Sequence, residues 1–200
     1  MVKILLIVIL ILFKTTFALH GSTKGFPKKA PEINNLITEE GKQFSLKNLK
    51  GKVLIITYGY TSCPHVCPTI TAFLKNIETE LNKKGLKNKY KIIFITVDPK
   101  LDTQEKLKKY KQEKGFKDWI FLTGDKKALK KVWENYDVFV QDKGFMQMKH
   151  GNMTMKHRMI NHTAKITIID KNGYIIEEFK TMYLPVDEIV EDVEKLIKEN

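Results

Sequence analysis

Apolar and polar positions follow two rhythms along this chain, and the rhythm switches repeatedly. Val53 to Tyr60, VLIITYGY, is a near-continuous β-branched and aromatic run, the pattern of a strand buried on both faces. Ile70, Phe73, Leu74, Ile77 and Leu81 then recur at helical spacing and form one apolar stripe, closed by Lys83-Lys84-Gly85. Lys91 to Val97, KIIFITV, is a second buried strand. Asp102 or Thr103 can cap a helix that runs to about Lys114 and ends at Gly115. A short strand over Trp119 to Leu122 leads to Asp125, the cap of a helix carrying Leu129, Val132, Trp133 and Tyr136.

A strand near Val138 to Val140 precedes a long polar loop. Lys165 to Ile169 and Tyr174 to Phe179 are two strands joined by Asp170-Lys171-Asn172-Gly173, a hairpin sequence. Val186, Ile189, Val190, Val193, Leu196 and Ile197 line one face of a final helix. Upstream, INNLITEEGKQFSL places two short apolar runs around Glu39-Glu40-Gly41-Lys42, also a hairpin signal. Alternation of strand and helix, closed by a hairpin and a helix, predicts an α/β fold of thioredoxin type. It has a central mixed sheet, helices on both faces and an N-terminal β-hairpin extension.

The first residues obey neither rhythm. In MVKILLIVILILFKTTFA, Lys3 precedes an unbroken apolar run from Ile4 to Phe13, followed by small and polar residues up to Ala18. Residues 1–18 therefore read as a secretory signal peptide. The alternative is an uncleaved N-terminal membrane anchor in which Lys14 snorkels and Thr15 to Leu19 join the segment, because the apolar run alone spans ~15 Å of a ~30 Å hydrocarbon core. No cysteine is available there for lipidation. Residues 19–32, rich in Gly, Ser, Pro and Lys, read as a tether. Residues 33–200 form the expected domain, and its location is extracytoplasmic, in a bacterial periplasm.

Charge changes this picture little. The formal net charge is +12, yet Arg158 is the only Arg among 35 basic residues. Base and phosphate recognition leans on the planar guanidinium, and the lysines are dispersed among acids, so no nucleic-acid partner is expected. A basic surface would still help encounter with an acidic partner or an anionic lipid.

Chemistry enters with Cys63 and Cys67, the only two cysteines. A pair so close closes too short a loop to matter for stability. The order is buried strand, Gly59-Tyr60-Thr61-Ser62, then Cys63-Pro64-His65-Val66-Cys67-Pro68, then helix. Pro68 belongs in a first helical turn, so both thiols sit where a strand's carboxyl end meets a helix mouth, a usual ligand position in open α/β sheets. Helix amides are expected to lower both thiol pKa values. Such a pair can exchange a disulfide or chelate a soft ion, and an ion needs a further ligand. His162, just before the strand at Lys165, is the candidate. Two thiolates and an imidazole suit copper, as Cu(I) or Cu(II), and zinc could use the same set.

These motifs also carry a resemblance. YGYTSCPHVCPT, FITVDPKLDT and INHTAKITIIDKNG, in that order and spacing, resemble the Sco/SenC family of thioredoxin-like copper chaperones, which serve cytochrome c oxidase assembly; the likeness covers roughly Ala30 to Asn200. It implies Cys63, Cys67 and His162 as copper ligands, Asp98 as a carboxylate near the site, and delivery of copper to the oxidase's Cu-A subunit. Other copper-trafficking proteins are further implied partners, and the N-terminal segment offers membrane association. The alternative function is a periplasmic thiol–disulfide reductase acting on the cysteines of an oxidase copper site. A peroxidase-like enzyme is a third class, but no polarising set around one thiolate is identifiable.

Two positions depart from the family pattern. His65 stands where Asp is usual, open to roles as fourth ligand, thiol neighbour or solvent-facing residue. Leu101 replaces an Arg, which removes an expected Arg–Asp pair and implies different loop anchoring or partner contacts. Finally, five of seven methionines and three of five histidines lie within residues 146–162. Met146, Met148, Met153, Met155 and Met159, with His150 and His157, are either an auxiliary copper-capture arm or an inserted hairpin, turning at Gly151-Asn152, that buries alternate methionines.

Overall fold

The computed structural model describes residues 19–64, 66–150 and 153–199. The leader at 1–18 lies outside them, as does His65. Among the described residues no helix is long and apolar enough to cross a membrane.

A seven-stranded mixed sheet organises the chain, in the spatial order β1 (Lys28–Lys29), β9 (Tyr174–Phe179), β8 (Ile166–Ile169), β3 (Val53–Gly59), β4 (Tyr90–Thr96), β5 (Ile120–Gly124) and β2 (Leu36–Thr38). Its centre is β3 (Val53–Gly59), buried along its whole length, with β4 (Tyr90–Thr96) and β5 (Ile120–Gly124) parallel to it. β8 (Ile166–Ile169) runs antiparallel to β3 and turns into β9 (Tyr174–Phe179). Asp170 shapes that turn by accepting the Asn172 and Tyr174 N–H groups on Oδ1, and Gly173 supplies the left-handed conformation at φ +89°. β2 (Leu36–Thr38) is the first arm of the expected N-terminal hairpin, and it also joins the central sheet against β5.

Side chains alternate across the sheet, so the strands feed two separate cores. Leu54, Ile56, Ile93 and Ile95 meet Leu129, Val132 and Trp133 of α3 (Lys126–Asn135), together with Ile33 and Leu36. Val53, Ile55, Ile92 and Phe94 meet the stripe of α1 (Val66–Lys83), Leu107 of α2 (Gln104–Lys114) and Ile189 and Val193 of α4 (Val186–Lys198). Helices thus cover both faces. Thr103 caps α2, its Oγ1 accepting the Lys106 N–H, and Gly115 closes the helix at φ +68°. Asp102, the other candidate cap, is fully buried and serves elsewhere.

Two stretches differ from expectation. The tether expected at 19–32 is docked: Ser22 bridges to Glu178, β1 (Lys28–Lys29) pairs with β9, and the His20 and Gly21 N–H groups donate to Asp192 and Glu177. The edge of β9 would otherwise present bare backbone groups. The long polar loop is instead a two-stranded antiparallel ribbon, β6 (Val140–His150) with β7 (Met153–His162). The ribbon contains the inserted hairpin that is one of the two readings of residues 146–162 and extends it back to Val140.

Candidate metal centre

Cys63 and Cys67 lie at the carboxyl end of β3, where the chain enters α1. Asp102 fixes the approach: its carboxylate accepts the Thr61 N–H at 3.0 Å, the Thr61 hydroxyl at 2.5 Å and the Thr96 hydroxyl at 2.7 Å. Burial raises its pKa against those hydrogen bonds. Cys63 N–H then donates to the Tyr60 carbonyl at 3.2 Å, closing a tight turn. Gly59 lets the cysteine turn approach closely, because a Cβ there would stand 3.1 Å from the Cys67 sulfur and 3.0 Å from Phe94 and would press on both.

Cys67, the second residue of α1, is buried, and its N–H donates to Cys63 Sγ at 3.4 Å. Cys63 is half-buried. Contrary to the lowering expected from the helix mouth, the Cys67 thiol is pushed well above its ordinary range, first by its hydrogen bond with the Cys63 thiol and then by burial. Helix amides favour a thiolate, but a neighbouring sulfur and a buried site outweigh them here.

His162 ends β7 opposite Val140, and its Nε2 lies 3.8 Å from Cys67 Sγ. Its Nδ1 is 3.1 Å from the Thr163 carbonyl. A carbonyl only accepts, so Nδ1 carries the proton and Nε2 presents its lone pair toward the sulfur. Burial lowers the imidazole pKa, which keeps the ring neutral, as ligation requires. One ion bound at ~2.3 Å to sulfur and ~2.0 Å to nitrogen separates those ligands by ~3.5–3.7 Å; the observed pair is within a few tenths of that. Cys63, Met159, His162 and Met182 share a pocket of about 290 Å³, also lined by Tyr60 and Pro64. The three candidate ligands are therefore neighbours. Among the described residues, however, no three His, Cys, Asp or Glu side chains form a ready-made metal cluster.

What holds His162 in place was not legible in the motifs. Arg158, two rungs earlier on β7, is buried and grips Asp98 with two hydrogen bonds, Nε at 3.0 Å and Nη2 at 3.1 Å. It also pairs with Asp142 of β6, holding that carboxyl well below its usual range. The arginine missing at position 101 is thus supplied from the ribbon, and Asp98 has its partner after all. A larger cavity of about 470 Å³ lies beside this cluster, lined by Trp133 and Phe139 among others, with no cysteine in its wall. Tyr60 adds a second tie. Its hydroxyl donates to the Arg158 carbonyl at 3.3 Å and accepts the Ile160 N–H at 3.4 Å, and its ring meets His162 edge-on at 6.0 Å. Burial pushes the Tyr60 pKa up, so the phenol stays a neutral donor. The only signal for Arg158 was its rarity, a single guanidinium in a lysine-rich chain.

Comparison with known proteins places this geometry. Residues 26–198 match the SCO1/SenC family model. An SCO2-like protein of Rickettsia prowazekii is 37% identical over 146 residues, covering 72% of this chain; the aligned part spans 66% of that relative's length. The structure of Bradyrhizobium japonicum ScoI with copper bound superposes with a TM-score of 0.68 at 28% identity, over 84% of this chain and 99% of that one. Arabidopsis thaliana ScoI with copper bound gives 0.69 at 25% identity, over 86% and 99%.

Proposed function

Because the chain belongs to the SCO1/SenC family, we propose that it is a copper chaperone, with Cys63, Cys67 and His162 holding one copper ion as cargo for the Cu-A subunit of cytochrome c oxidase. The observation that carries this reading is the 3.8 Å approach of the His162 Nε2 lone pair to Cys67 Sγ. A pure dithiol exchanger does not need an imidazole at this position, whereas a metal site needs a third ligand. The residues fit a soft ion: two sulfurs and one neutral nitrogen, with Cys63 and His162 lining a pocket and Cys67 buried next to them. Loading needs both cysteines reduced, and because the Cys67 thiol keeps its proton at neutral pH, metal uptake expels thiol protons. Release to the recipient is ligand exchange, without turnover chemistry. The leader at 1–18 supports delivery outside the cytoplasm, in a periplasm, by a domain either released or anchored.

One observation favours the alternative, a thiol–disulfide reductase for the oxidase's copper-site cysteines. The Cys67 N–H donates to Cys63 Sγ, an arrangement suited to a nucleophilic Cys63 with a buried resolving Cys67. Anaerobic Cu(I) titration of the reduced protein against a chromogenic chelator separates the two. A tight copper equivalent, weakened ~10-fold or more by His162→Ala as expected for loss of a ligand, supports the chaperone. No copper uptake, with disulfide reduction that survives His162→Ala, replaces it by the reductase.

A further inference from the structure

The β6–β7 ribbon sorts its residues by chemistry. In an antiparallel pair, residues directly opposite share a face, and every second residue along a strand returns to it. The register pairs Met146 with His157, Met148 with Met155 and His150 with Met153. All six positions therefore fall on one face. The intervening pairs, Phe145 with Arg158, Gln147 with Lys156 and Lys149 with Thr154, fall on the other, which carries no sulfur and no imidazole. Part of that second face is already engaged, since Lys156 and Arg158 both sit over the Phe145 ring and Arg158 is buried against Asp98. On the first face, Met146 is 49% exposed rather than packed into a core. The same face continues toward the base of the ribbon, where Met159 stands opposite Gly144 and lines the pocket shared by Cys63 and His162.

We propose that this face is a second, Cu(I)-binding site: a ladder of three cross-strand thioether and imidazole donor pairs, with Met159 as the rung that joins it to the cysteine pocket. Opposed positions have Cβ atoms ~4.5–5.5 Å apart, a span that flexible methionine side chains can close onto one ion. Thioethers are soft and neutral, so they select Cu(I) over Zn(II) and bind it without losing a proton. Successive rungs are ~6.6 Å apart along the strand, and an ion passes between them by exchanging one ligand at a time. At the last exchange a copper–thioether bond breaks as a copper–thiolate bond forms. The thiol proton goes to solvent, and copper stays Cu(I) throughout. This final transfer rests on the proposed function of Cys63, Cys67 and His162; binding at the ladder does not.

The test uses the full chain carrying Cys63→Ser, Cys67→Ser and His162→Ala, titrated anaerobically with Cu(I) against a chromogenic chelator. About one equivalent should remain bound, with thioether sulfur in its X-ray absorption spectrum. Adding Met→Leu at 146, 148, 153, 155 and 159, a near-isosteric change, should weaken that binding ~10-fold or more while circular dichroism stays unchanged. Absence of Cu(I) uptake by the first variant overturns the ladder. So does equal uptake by the leucine variant, which would mark the face as merely apolar. If the native chain lacks copper–thiolate absorption while the first variant still loads, the chaperone reading fails and the ladder stands.

Discussion

The central sheet and the β6–β7 ribbon are both built on two-residue alternation, but the sheet's central strands bury their apolar residues, whereas the ribbon buries Ile160 near its base and leaves Phe145 and Met146 exposed. Every residue of β3 is buried, and its two faces feed two cores. On the ribbon, Met146 and Phe145 are about half exposed, and the side turned to the body is held by ions and hydrogen bonds, Arg158 to Asp98 and Tyr60 to Ile160. Hydrophobic pattern thus explains where the sheet sits. Polar anchoring, together with the burial of Ile160, explains where the ribbon sits, and with it His162. The candidate site lies where the two meet, with its cysteines on the sheet's scaffold and its histidine on the ribbon's.

The sharpest way to break this division is to cut the anchor. Arg158→Met leaves Asp98 buried without a partner, a change that typically costs ~3–5 kcal/mol. Chemical denaturation should show a loss of that order, and copper affinity should fall although no proposed ligand has been touched. An unchanged affinity in the folded variant would mean that His162 is positioned without the clamp. The next contrast compares the regions directly. Ile93→Ala in β4, fully buried, should cost ~2–5 kcal/mol, whereas Met146→Leu on the exposed ribbon should stay within ~0.5 kcal/mol. Comparable losses at both positions would show that the ribbon's methionines pack as a core does.

The same division explains what the amino-acid sequence revealed. Strands β3 and β4 and helices α1 to α3 were legible because periodicity and caps are local; Thr103, Gly115 and Asp125 each act within a few residues of themselves. The cysteines' place at the strand-to-helix turn followed from Pro68 and the buried run before it. His162 could be nominated as a strand-end residue, but its distance from Cys67 and its tautomer depend on a residue 95 positions away and on the Thr163 carbonyl. Arg158 and Asp98, 60 residues apart, left no local trace of their pairing. The ribbon was legible in part, because alternate methionines within residues 146–162 offered an inserted hairpin as one of two readings; its extension to Val140 and the sorting of sulfur and imidazole emerge only from the register between its strands. The expected lowering of the Cys67 pKa weighed the helix amides alone, not the hydrogen bond with the Cys63 thiol or the burial of Cys67.

In the proposed site one copper ion sits between two cysteine sulfurs and the His162 imidazole. Copper X-ray absorption on protein loaded anaerobically with one equivalent tests it most directly. A low-coordinate site with two sulfur scatterers and one imidazole nitrogen is expected, the nitrogen shell disappearing in His162→Ala. A spectrum of sulfur alone, unchanged by that substitution, would contradict it.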